Sequence, residues 1–152
     1  MKDLILLDLD HTLIYGSYAE NETGNLLFQY NKYLKVYERP YARELIDLCK
    51  KNDDIIVYTT ALRPYALKIC NRLNITPIEL LSRKHCLYKN GSWKKKVKPE
   101  WITKYDKIII IDDSPNVWLG IPTSIEILIP SEFRGSKNDF GLEEIITKLS
   151  RY

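Results

Sequence analysis

LILLDLDHTL, at residues 4–13, is the stretch around which the rest of the chain is organised. Its apolar part has no polar face, which predicts a strand covered on both sides, as in a parallel sheet between helices. Asp8 and Asp10 stand where this strand ends, and because strand side chains alternate they point to the same side. Ligands of open α/β sheets bind outside the carboxyl ends of the strands, so the two acids either hold a cation or do acid–base work. Taken alone, such a pair more often just caps the turn into Thr12.

The length and composition are those of one globular domain spanning residues 1–152. With 45% hydrophobic residues, the chain can bury a full core. Cys49, Cys70 and Cys86 are an odd, widely spaced set outside any zinc-ligand pattern, which indicates buried thiols in a reducing compartment. We see neither a basic leader nor an apolar run of bilayer length, so we expect an intracellular protein, cytoplasmic or nuclear, without a membrane partner. A net charge of +3 is too mild to indicate a nucleic-acid partner, and the oligomeric state stays open.

A polar, turn-rich stretch follows the first strand at residues 15–25. Two β-type segments, residues 26–30 and 33–37, then flank Asn31-Lys32 and predict a hairpin. This insert, at about residues 15–37, would lie directly over the two acids. Its aromatic side chains either wall a pocket there or only pack the hairpin against the domain.

The remainder of the chain alternates apolar strands with amphipathic helices. Apolar runs at residues 55–60, 107–111 and 125–129 predict strands. Helical spacing predicts three helices, one opened by Pro40 (Ala42, Leu45, Ile46, Cys49), one opened by Pro64 (Ala66, Leu67, Cys70, Leu73) and a closing one (Leu142, Ile145, Ile146, Leu149). This order implies right-handed crossovers and parallel strands, and hence an α/β fold.

A second hairpin is predicted within residues 85–97. Asn90-Gly91 is the strongest signal of a tight turn in the chain. The arm after it carries Lys94, Lys95 and Lys96, which form a solvated face unless one of them enters a site.

Three of the predicted strands end in polar groups. Asp8 and Asp10 end the first, Thr59 the second and Asp112-Asp113 the third. At one edge of a parallel sheet, four carboxylates could not all stay ionised without a cation. Hard oxygen ligands in this number favour Mg²⁺, which binds well where a phosphate shares it. We therefore expect a phosphate-ester substrate, with the hydroxyl and backbone N–H of Thr59 and one hairpin lysine as donors.

The motifs, in this order, resemble those of the haloacid-dehalogenase (HAD) superfamily of aspartate-nucleophile phosphatases: DLDHT (8–12), VYTTALRPYA (57–66), a hairpin lysine and IIIIDDSP (108–115). More narrowly, the chain resembles the FCP/SCP family, phosphatases acting on phosphoserine in the RNA polymerase II carboxy-terminal domain and related proteins, through ERP (38–40), SRKHC (82–86) and DDSP (112–115). The resemblance implies a three-layer, Rossmann-like parallel sheet flanked by helices, with a small β-hairpin cap inserted after the first strand. It also implies Mg²⁺ and a phosphoprotein or phosphopeptide substrate.

The same resemblance implies catalytic roles. Asp8 would attack phosphorus and form an aspartyl-phosphate, while Asp10 would protonate the leaving oxygen and then activate water. The magnesium ligands would be the Asp8 carboxylate, the Asp10 carbonyl and the acids at 112 and 113, without a choice between Asp112 and Asp113 as the direct ligand.

Further roles follow by position. Thr12 would brace the turn on the substrate-binding side, and Thr59 would bind phosphoryl oxygens. Arg83 would contact the substrate, unless it only caps a surface loop. Counting back from Asp112 gives Lys96 as the family lysine, but we choose Lys95, because the turn fixes the hairpin register and the following loop can absorb a residue.

The chain departs from the family pattern in three places: His11, where many members have Glu, Asp113, where Asn is common, and the first hairpin, which is short. We expect the His11 side chain to point away from Asp8. In the family, the hairpin and the second motif form an apolar slot for a proline beside the phosphoserine. The matching positions here are Tyr18, Leu62 and Tyr65, with Phe28 and Tyr30 as additions. We therefore predict a preference for Ser-Pro peptides.

Two other functions stay open. A HAD phosphatase with a small, open site would hydrolyse nucleic-acid 3′-phosphates or small phosphometabolites, which the lysine cluster permits. A catalytically silent module would bind phosphopeptides without Mg²⁺-dependent hydrolysis.

Overall fold

The computed structural model describes residues 2–19 and 24–151. The described strands and α-helices are, in order, β1 (Leu4–Leu7), β2 (Ile14–Ser17), β3 (Asn25–Gln29), β4 (Lys35–Glu38), α1 (Ala42–Asn52), β5 (Asp54–Tyr58), α2 (Arg63–Leu73), β6 (Glu79–Leu81), β7 (Leu87–Lys89), β8 (Ser92–Lys96), α3 (Pro99–Lys104), β9 (Ile108–Ile111), β10 (Trp118–Leu119), β11 (Glu126–Leu128) and α4 (Gly141–Leu149). No α-helix among the described residues has the length and apolarity of a membrane span.

Five strands form the central sheet, in the order β11-β9-β1-β5-β6. Every neighbouring pair is parallel, which confirms the predicted α/β fold. In this register Leu7 of β1 lies opposite both Val57 of β5 and Ile111 of β9. The residues that follow β1, β5 and β9 therefore meet at one edge of the sheet, as the argument from the strand ends requires.

The two faces of this sheet carry separate apolar cores, because alternate strand residues point to opposite sides. Ile5 and Leu7 pack against residues of α1, α2 and α4. Leu4 and Leu6 pack on the other face, against residues such as Trp101 of α3. All four β1 side chains are 0% exposed, so an apolar run without a polar face is buried on both sides.

The hairpin predicted after β1 is confirmed, and a third strand extends it to a three-stranded antiparallel sheet in the order β2-β4-β3. The predicted arms are present as β3 and β4, but β2 comes from the stretch interpreted as a polar excursion. Its sequence, IYGS, carries little strand signal, and pairing supports it, with Tyr15 opposite Tyr37. Residues 20–23 of that excursion lie outside the described residues.

The second small sheet has the order β10-β8-β7. Strands β7 and β8 are antiparallel around Asn90 and Gly91, whose φ values of 53° and 80° suit a two-residue hairpin turn. The predicted hairpin is thereby confirmed. Strand β10, which was too short to predict, runs parallel to β8 and places Trp118 opposite Lys95.

Two details of the predicted helices are wrong. Pro40 does not open α1, because the helix begins at Ala42, after Tyr41 with its left-handed backbone (φ 71°). Leu67 of α2 is 46% exposed, although we placed it on the inward stripe. The buried stripe with i, i+3, i+4, i+7 spacing is instead Ala66, Ile69, Cys70 and Leu73.

Candidate active site

Asp8 is the first residue after β1. Its backbone N–H continues the hydrogen bonding of the sheet, because it donates to the Ile111 carbonyl of β9 at 3.0 Å. The carboxylate is held from two sides. Lys95 Nζ lies 2.9 Å from Oδ1, and Thr12 Oγ1 donates to Oδ2 at 2.8 Å. Lys95 and Thr12 are 1% and 0% exposed. Asp8 therefore has a fixed orientation at the edge where the strands end.

Lys95 reaches this edge from β8. Its Nζ also lies 2.8 Å from Asp112 Oδ2 and sits 5.9 and 5.5 Å from the ring centroids of Tyr58 and Trp118. Lys96 follows on the opposite side of the strand and is exposed. Of these two lysines, the structure brings Lys95 to the carboxylates.

Three carboxylates form a group at this edge. One oxygen each of Asp8, Asp112 and Asp113 lies within 4.8 Å of the others. All three donors are hard oxygens in a compact arrangement, and Mg²⁺ fits such a set. The Asp10 side chain is not part of this group. The atom of Asp10 that we expect to bind magnesium is its backbone carbonyl oxygen, and that role stays a prediction.

The electrostatics of the group follow from its burial. Burial raises the pKa of the Asp8 carboxyl above its ordinary value, although the Lys95 ammonium opposes this shift. Burial and the charge of Asp8 raise the pKa of Asp112 to about 6. Burial alone would lower the pKa of Lys95, but the two carboxylates overcome it and the pKa lies above normal. One ammonium faces three carboxylates, so a divalent cation would neutralise the excess negative charge.

Asp10 lies where two clefts meet. One cleft, of about 380 Å³, contains the three grouped carboxylates, and the other, of about 400 Å³, is a groove beside the insert. Burial, and next the charge of Asp8, raise the pKa of Asp10 to about 6. The Tyr65 hydroxyl lies 3.5 Å from its Oδ1. A carboxyl with such a pKa can exchange protons with a molecule that occupies both clefts.

The groove contains most of the side chains predicted for the proline slot. Its lining includes Tyr18, Tyr30, Leu62, Tyr65 and Arg83. The rings of Tyr30 and Tyr65 meet edge to face with centroids 5.1 Å apart. Gly16 also lines the groove, and a side chain there would collide with the Tyr65 hydroxyl, since a Cβ would come within 2.7 Å of it. The structure therefore places these positions in an open aromatic surface that ends at Asp10.

Phe28 is not in this lining, so its assignment to the slot is wrong. It is 5% exposed and belongs to the apolar core. A bulge between Leu26 and Phe28 interrupts the regular alternation of β3 and changes which side chains face inward. Phe28 instead packs edge-on against Tyr30, at 6.5 Å between centroids, and supports the groove from behind.

Thr12, placed on the substrate-binding side, is fully buried and cannot touch a substrate. Besides its bond to Asp8, its hydroxyl oxygen lies 3.1 Å from Asp113 Oδ1 and accepts the Asp113 backbone N–H at 3.1 Å. The predicted substrate-binding role of Thr12 is therefore wrong. Thr12 instead braces the turn, because its hydroxyl connects the residues after β1 to those after β9.

Thr59 ends β5 as expected but is 1% exposed. Its backbone N–H donates to the Leu81 carbonyl at 2.9 Å, so the expectation that this N–H meets phosphate is wrong. Its Oγ1 accepts the Ala61 N–H at 3.0 Å and keeps its own proton to donate. The neighbouring Thr60, which the sequence did not single out, lines the carboxylate cleft.

His11 and Arg39 shape the turn after Asp10. His11 has a left-handed backbone (φ 63°), and its Nδ1 lies 3.0 Å from the Phe133 carbonyl. Arg39 is 0% exposed, donates from Nη1 to the Thr12 carbonyl at 3.1 Å and donates from Nε to Asp139 Oδ1 at 2.7 Å. Sequence reasoning assigned Arg39 no role. The sequence feature that could have indicated a role for Arg39 is a charged residue directly between a strand and a helix. Nothing in the sequence identified Asp139 as its partner.

Comparison with known proteins gives the class and the family. The model for NLI interacting factor-like phosphatases matches residues 3–152. CTD small phosphatase-like protein 3 of Caenorhabditis elegans is 28% identical over 101 residues, covering 60% of this chain and 34% of that protein. CTD small phosphatase-like protein 2 of Dictyostelium discoideum is 28% identical over 153 residues, covering 93% of this chain and 26% of that protein. The chain thus spans about a third or less of these two relatives.

A viral relative is similar in length. The CTD phosphatase-like protein 355R of Invertebrate iridescent virus 3 is 26% identical over 180 residues, covering 99% of this chain and 97% of that protein.

Two solved structures share the fold. The structure of Fcp1, an essential RNA polymerase II CTD phosphatase, has a TM-score of 0.60 at 20% identity and covers 99% of this chain and 49% of its own. A fission yeast Fcp1 variant bound to beryllium fluoride has a TM-score of 0.56 at 19% identity, with 99% and 50% covered. The fold and the acidic edge define an α/β protein of the HAD class. The match over nearly the whole chain shows that it belongs to the NLI interacting factor-like phosphatase family, which confirms the resemblance to FCP/SCP phosphatases.

Proposed function

We propose that this protein is a magnesium-dependent protein serine/threonine phosphatase of the FCP/SCP type. Its substrate is a phosphoprotein or phosphopeptide with phosphoserine before proline, like the RNA polymerase II carboxy-terminal domain, and it acts in the cytoplasm or nucleus. The observation that carries the proposal is the Asp8 carboxylate, held by Lys95 and Thr12 in one cleft, with Asp10 where that cleft meets the aromatic groove.

Asp8 is the nucleophile in this proposal. Because Lys95 and Thr12 hold its two oxygens, the carboxylate is oriented before a substrate arrives. An oxygen of Asp8 forms the bond to phosphorus while the bond to the serine oxygen breaks, giving an aspartyl-phosphate. Attack by water on that intermediate then releases inorganic phosphate and restores the carboxylate.

Asp10 moves the protons of both steps. A pKa of about 6 lets a useful fraction of the carboxyl remain protonated near neutral pH, so it can supply the proton that the leaving serine oxygen takes. The resulting carboxylate then accepts a proton from the attacking water. Its position at the junction of the clefts supports this role, since a peptide in the groove with its phosphate in the carboxylate cleft would place the serine side chain there.

The remaining polar groups neutralise the negative charge of the phosphoryl group or hold the residues that do so. Asp8, Asp112 and Asp113 are the residues that would hold Mg²⁺, which supplies charge neutralisation at the phosphoryl oxygens. Lys95 keeps two of these carboxylates fixed, and the Thr59 hydroxyl retains a proton that it can donate.

The groove supports the Ser-Pro preference. Tyr18, Leu62 and Tyr65 offer apolar faces beside Asp10 that can accept a proline ring, and the Tyr65 hydroxyl is directed at Asp10. A peptide with alanine in place of that proline loses this contact.

The test is the rate of phosphate release from matched substrates by the wild type, Asp8→Asn and Asp10→Asn, with and without Mg²⁺. We expect magnesium-dependent hydrolysis of Ser-Pro phosphopeptides that both substitutions abolish, and slower turnover when alanine replaces proline. Equal or faster turnover of nucleic-acid 3′-phosphates or sugar phosphates would overturn the substrate class. Peptide binding without hydrolysis would overturn the catalytic function.

A further inference from the structure

Two cations contact aromatic rings at and behind the groove, Lys68 and Arg72. Lys68 and Arg72 of α2 follow Tyr65 at helical spacing of three and seven residues, so the three side chains share one face of the helix. Lys68 Nζ lies 5.9 Å from the ring centroid of Tyr30 and 5.8 Å from that of Phe28. The guanidinium carbon of Arg72 lies 5.5 Å from the Phe28 centroid. We call Lys68 and Arg72 the cationic strip.

Among the described residues, no acid is paired with the positive charges of this strip. Within residues 2–19 and 24–151, no carboxylate forms an ion pair with Lys68 or Arg72. The acid close to this end of α2 is Glu38, which Arg43 Nε binds at 3.0 Å. Arg43 Nη2 in turn donates to the Arg72 backbone carbonyl at 3.2 Å, so the carboxylate of Glu38 is already paired with Arg43.

The strip is also partly ordered before any ligand binds. Contacts between a cation and an aromatic face restrict the rotamers of Lys68 and Arg72, which lowers the entropy lost when they bind an anion. Tyr30 belongs both to the groove lining and to the ring pair beneath Lys68. Lys68 does not itself line the groove, but a chain that extends past Tyr30 comes within reach of its ammonium.

We propose that the preferred substrate carries a second anionic side chain near its phosphoserine, and that Lys68, assisted by Arg72, binds it. The inference rests on the proposed phosphopeptide phosphatase function and specifies its substrate further. Lys68 lies beyond the Tyr65 and Tyr30 rings as seen from Asp10, and an extended chain advances about 3.3 Å per residue, so we place the second anion about two to five residues from the phosphoserine.

The expected effect is on binding. Lys68 lies outside the carboxylate cleft, so a second anion should lower KM and leave kcat unchanged. An exposed ion pair of this kind is worth about three- to fivefold in kcat/KM for a carboxylate. A second phosphoserine, with its higher charge, should give about tenfold. Both effects should shrink as the salt concentration rises.

The experiment measures kcat/KM for a set of Ser-Pro phosphopeptides in which one position, two to five residues on either side of the phosphoserine, is Gln, Glu, Lys or phosphoserine. For the wild type we expect one position where phosphoserine exceeds Glu and Glu exceeds Gln. Lys68→Glu should reverse this order and favour Lys at the same position, and that gain also shows that the variant is folded.

The matched control is Lys104→Glu. Lys104 also sits over an aromatic ring, 5.4 Å from the Tyr105 centroid, but on α3, which lines neither the groove nor the carboxylate cleft. This variant should keep the wild-type preference and the wild-type turnover of an aryl phosphate.

Three outcomes would overturn the inference. Indifference of the wild type to charge at every position, or a preference for Glu that persists in Lys68→Glu, would remove it while the hydrolysis of phosphopeptides still stood. Failure of the wild type to hydrolyse any phosphopeptide would remove it together with the proposed function, so the two failures are distinguishable.

Discussion

Lys95 and Leu62 both belong to the candidate site, yet 1% of the first and 58% of the second is exposed. Lys95 lies among the buried polar groups of the carboxylate cleft, which we call the floor. Its Nζ is 2.9 Å from Asp8 Oδ1 and 2.8 Å from Asp112 Oδ2. Leu62 lies in a groove whose walls are rings and aliphatic side chains in contact with water. The floor and the groove meet at Asp10, but they respond differently to substitution.

The floor and the groove respond differently to substitution because a buried charge has lost its hydration and an exposed side chain has not. A buried charge that loses its partner keeps its desolvation penalty, so every change in the floor should affect folding and chemistry together. A groove residue gains its contact when a substrate covers it, so a change there should affect mainly the affinity for one kind of substrate. The following predictions test this division.

The largest effect is expected for Asp8→Asn. An amide cannot attack phosphorus, so hydrolysis of every substrate should fall by at least ~10³-fold. Steady-state rates with a phosphopeptide and with an aryl phosphate measure this loss. Retention of more than a tenth of the activity would show that the floor contains another nucleophile.

Lys95→Met should be the next largest change, and Lys96→Met on the same strand is its control. Removing Lys95 leaves Asp8 and Asp112 without their shared cation, which should lower the free energy of unfolding by about 3–5 kcal/mol and the turnover by ~10²-fold or more. Lys96 is exposed, so its replacement should change stability by less than about 0.5 kcal/mol. Urea denaturation and kcat provide the comparison, and similar effects at both positions would contradict the division.

Asp10→Asn, whose loss of hydrolysis is described above, should also have a smaller effect of opposite sign on stability, because it should stabilise the metal-free protein at pH 7. The pKa of Asp10 is raised from 3.8 to about 6, so the folded state binds this proton more tightly than the unfolded state. The free energy of unfolding therefore decreases as the pH rises from about 4 to about 6, and the ionised carboxyl destabilises the fold above that range.

Thermal unfolding in a chelator, from pH 4 to pH 7, measures this effect. At pH 7 the midpoint of Asp10→Asn should exceed that of the wild type by a few degrees, roughly 2–4 °C per kcal/mol, and the difference should shrink towards pH 4. A midpoint below that of the wild type at pH 7 would contradict the electrostatic account of the floor.

The smallest effect is expected in the groove. Leu62→Ala should lower kcat/KM for a Ser-Pro phosphopeptide, relative to that for an aryl phosphate, by about fivefold, because covering a leucine side chain contributes roughly 1 kcal/mol. Ile102→Ala is the control, since Ile102 is 45% exposed on α3, away from the groove. An equal effect of the two substitutions would show that the groove does not contact the peptide.

The sequence predicted best those parts of the site in which a buried strand is followed directly by a polar side chain. The runs at Leu4–Leu7 and Ile108–Ile111 have no polar face, and together with the alternation of strands and helices this predicts parallel neighbours whose carboxyl ends meet. The placement of Asp8 and Asp112 at one edge follows from it. The hairpin turn at Asn90-Gly91 set the register that brings Lys95, and not Lys96, to that edge.

The errors concern contacts that depend on partners far along the chain or on local irregularity. The N–H of Thr59 is used by Leu81, which belongs to a three-residue strand too short to be recognised. Phe28 faces the core after a bulge in β3, and regular alternation cannot anticipate a bulge. Strand β2 depends on pairing with β4, because its own four residues carry little β signal.

The bond between Arg39 and Asp139 joins residues 100 positions apart and anchors the turn that contains Thr12. During synthesis on a ribosome, at about 5–20 residues per second, Asp139 emerges well after Asp8, so the contact that anchors this turn forms only once most of the domain has been made. We therefore expect a nascent chain to remain inactive until Asp139 has left the exit tunnel.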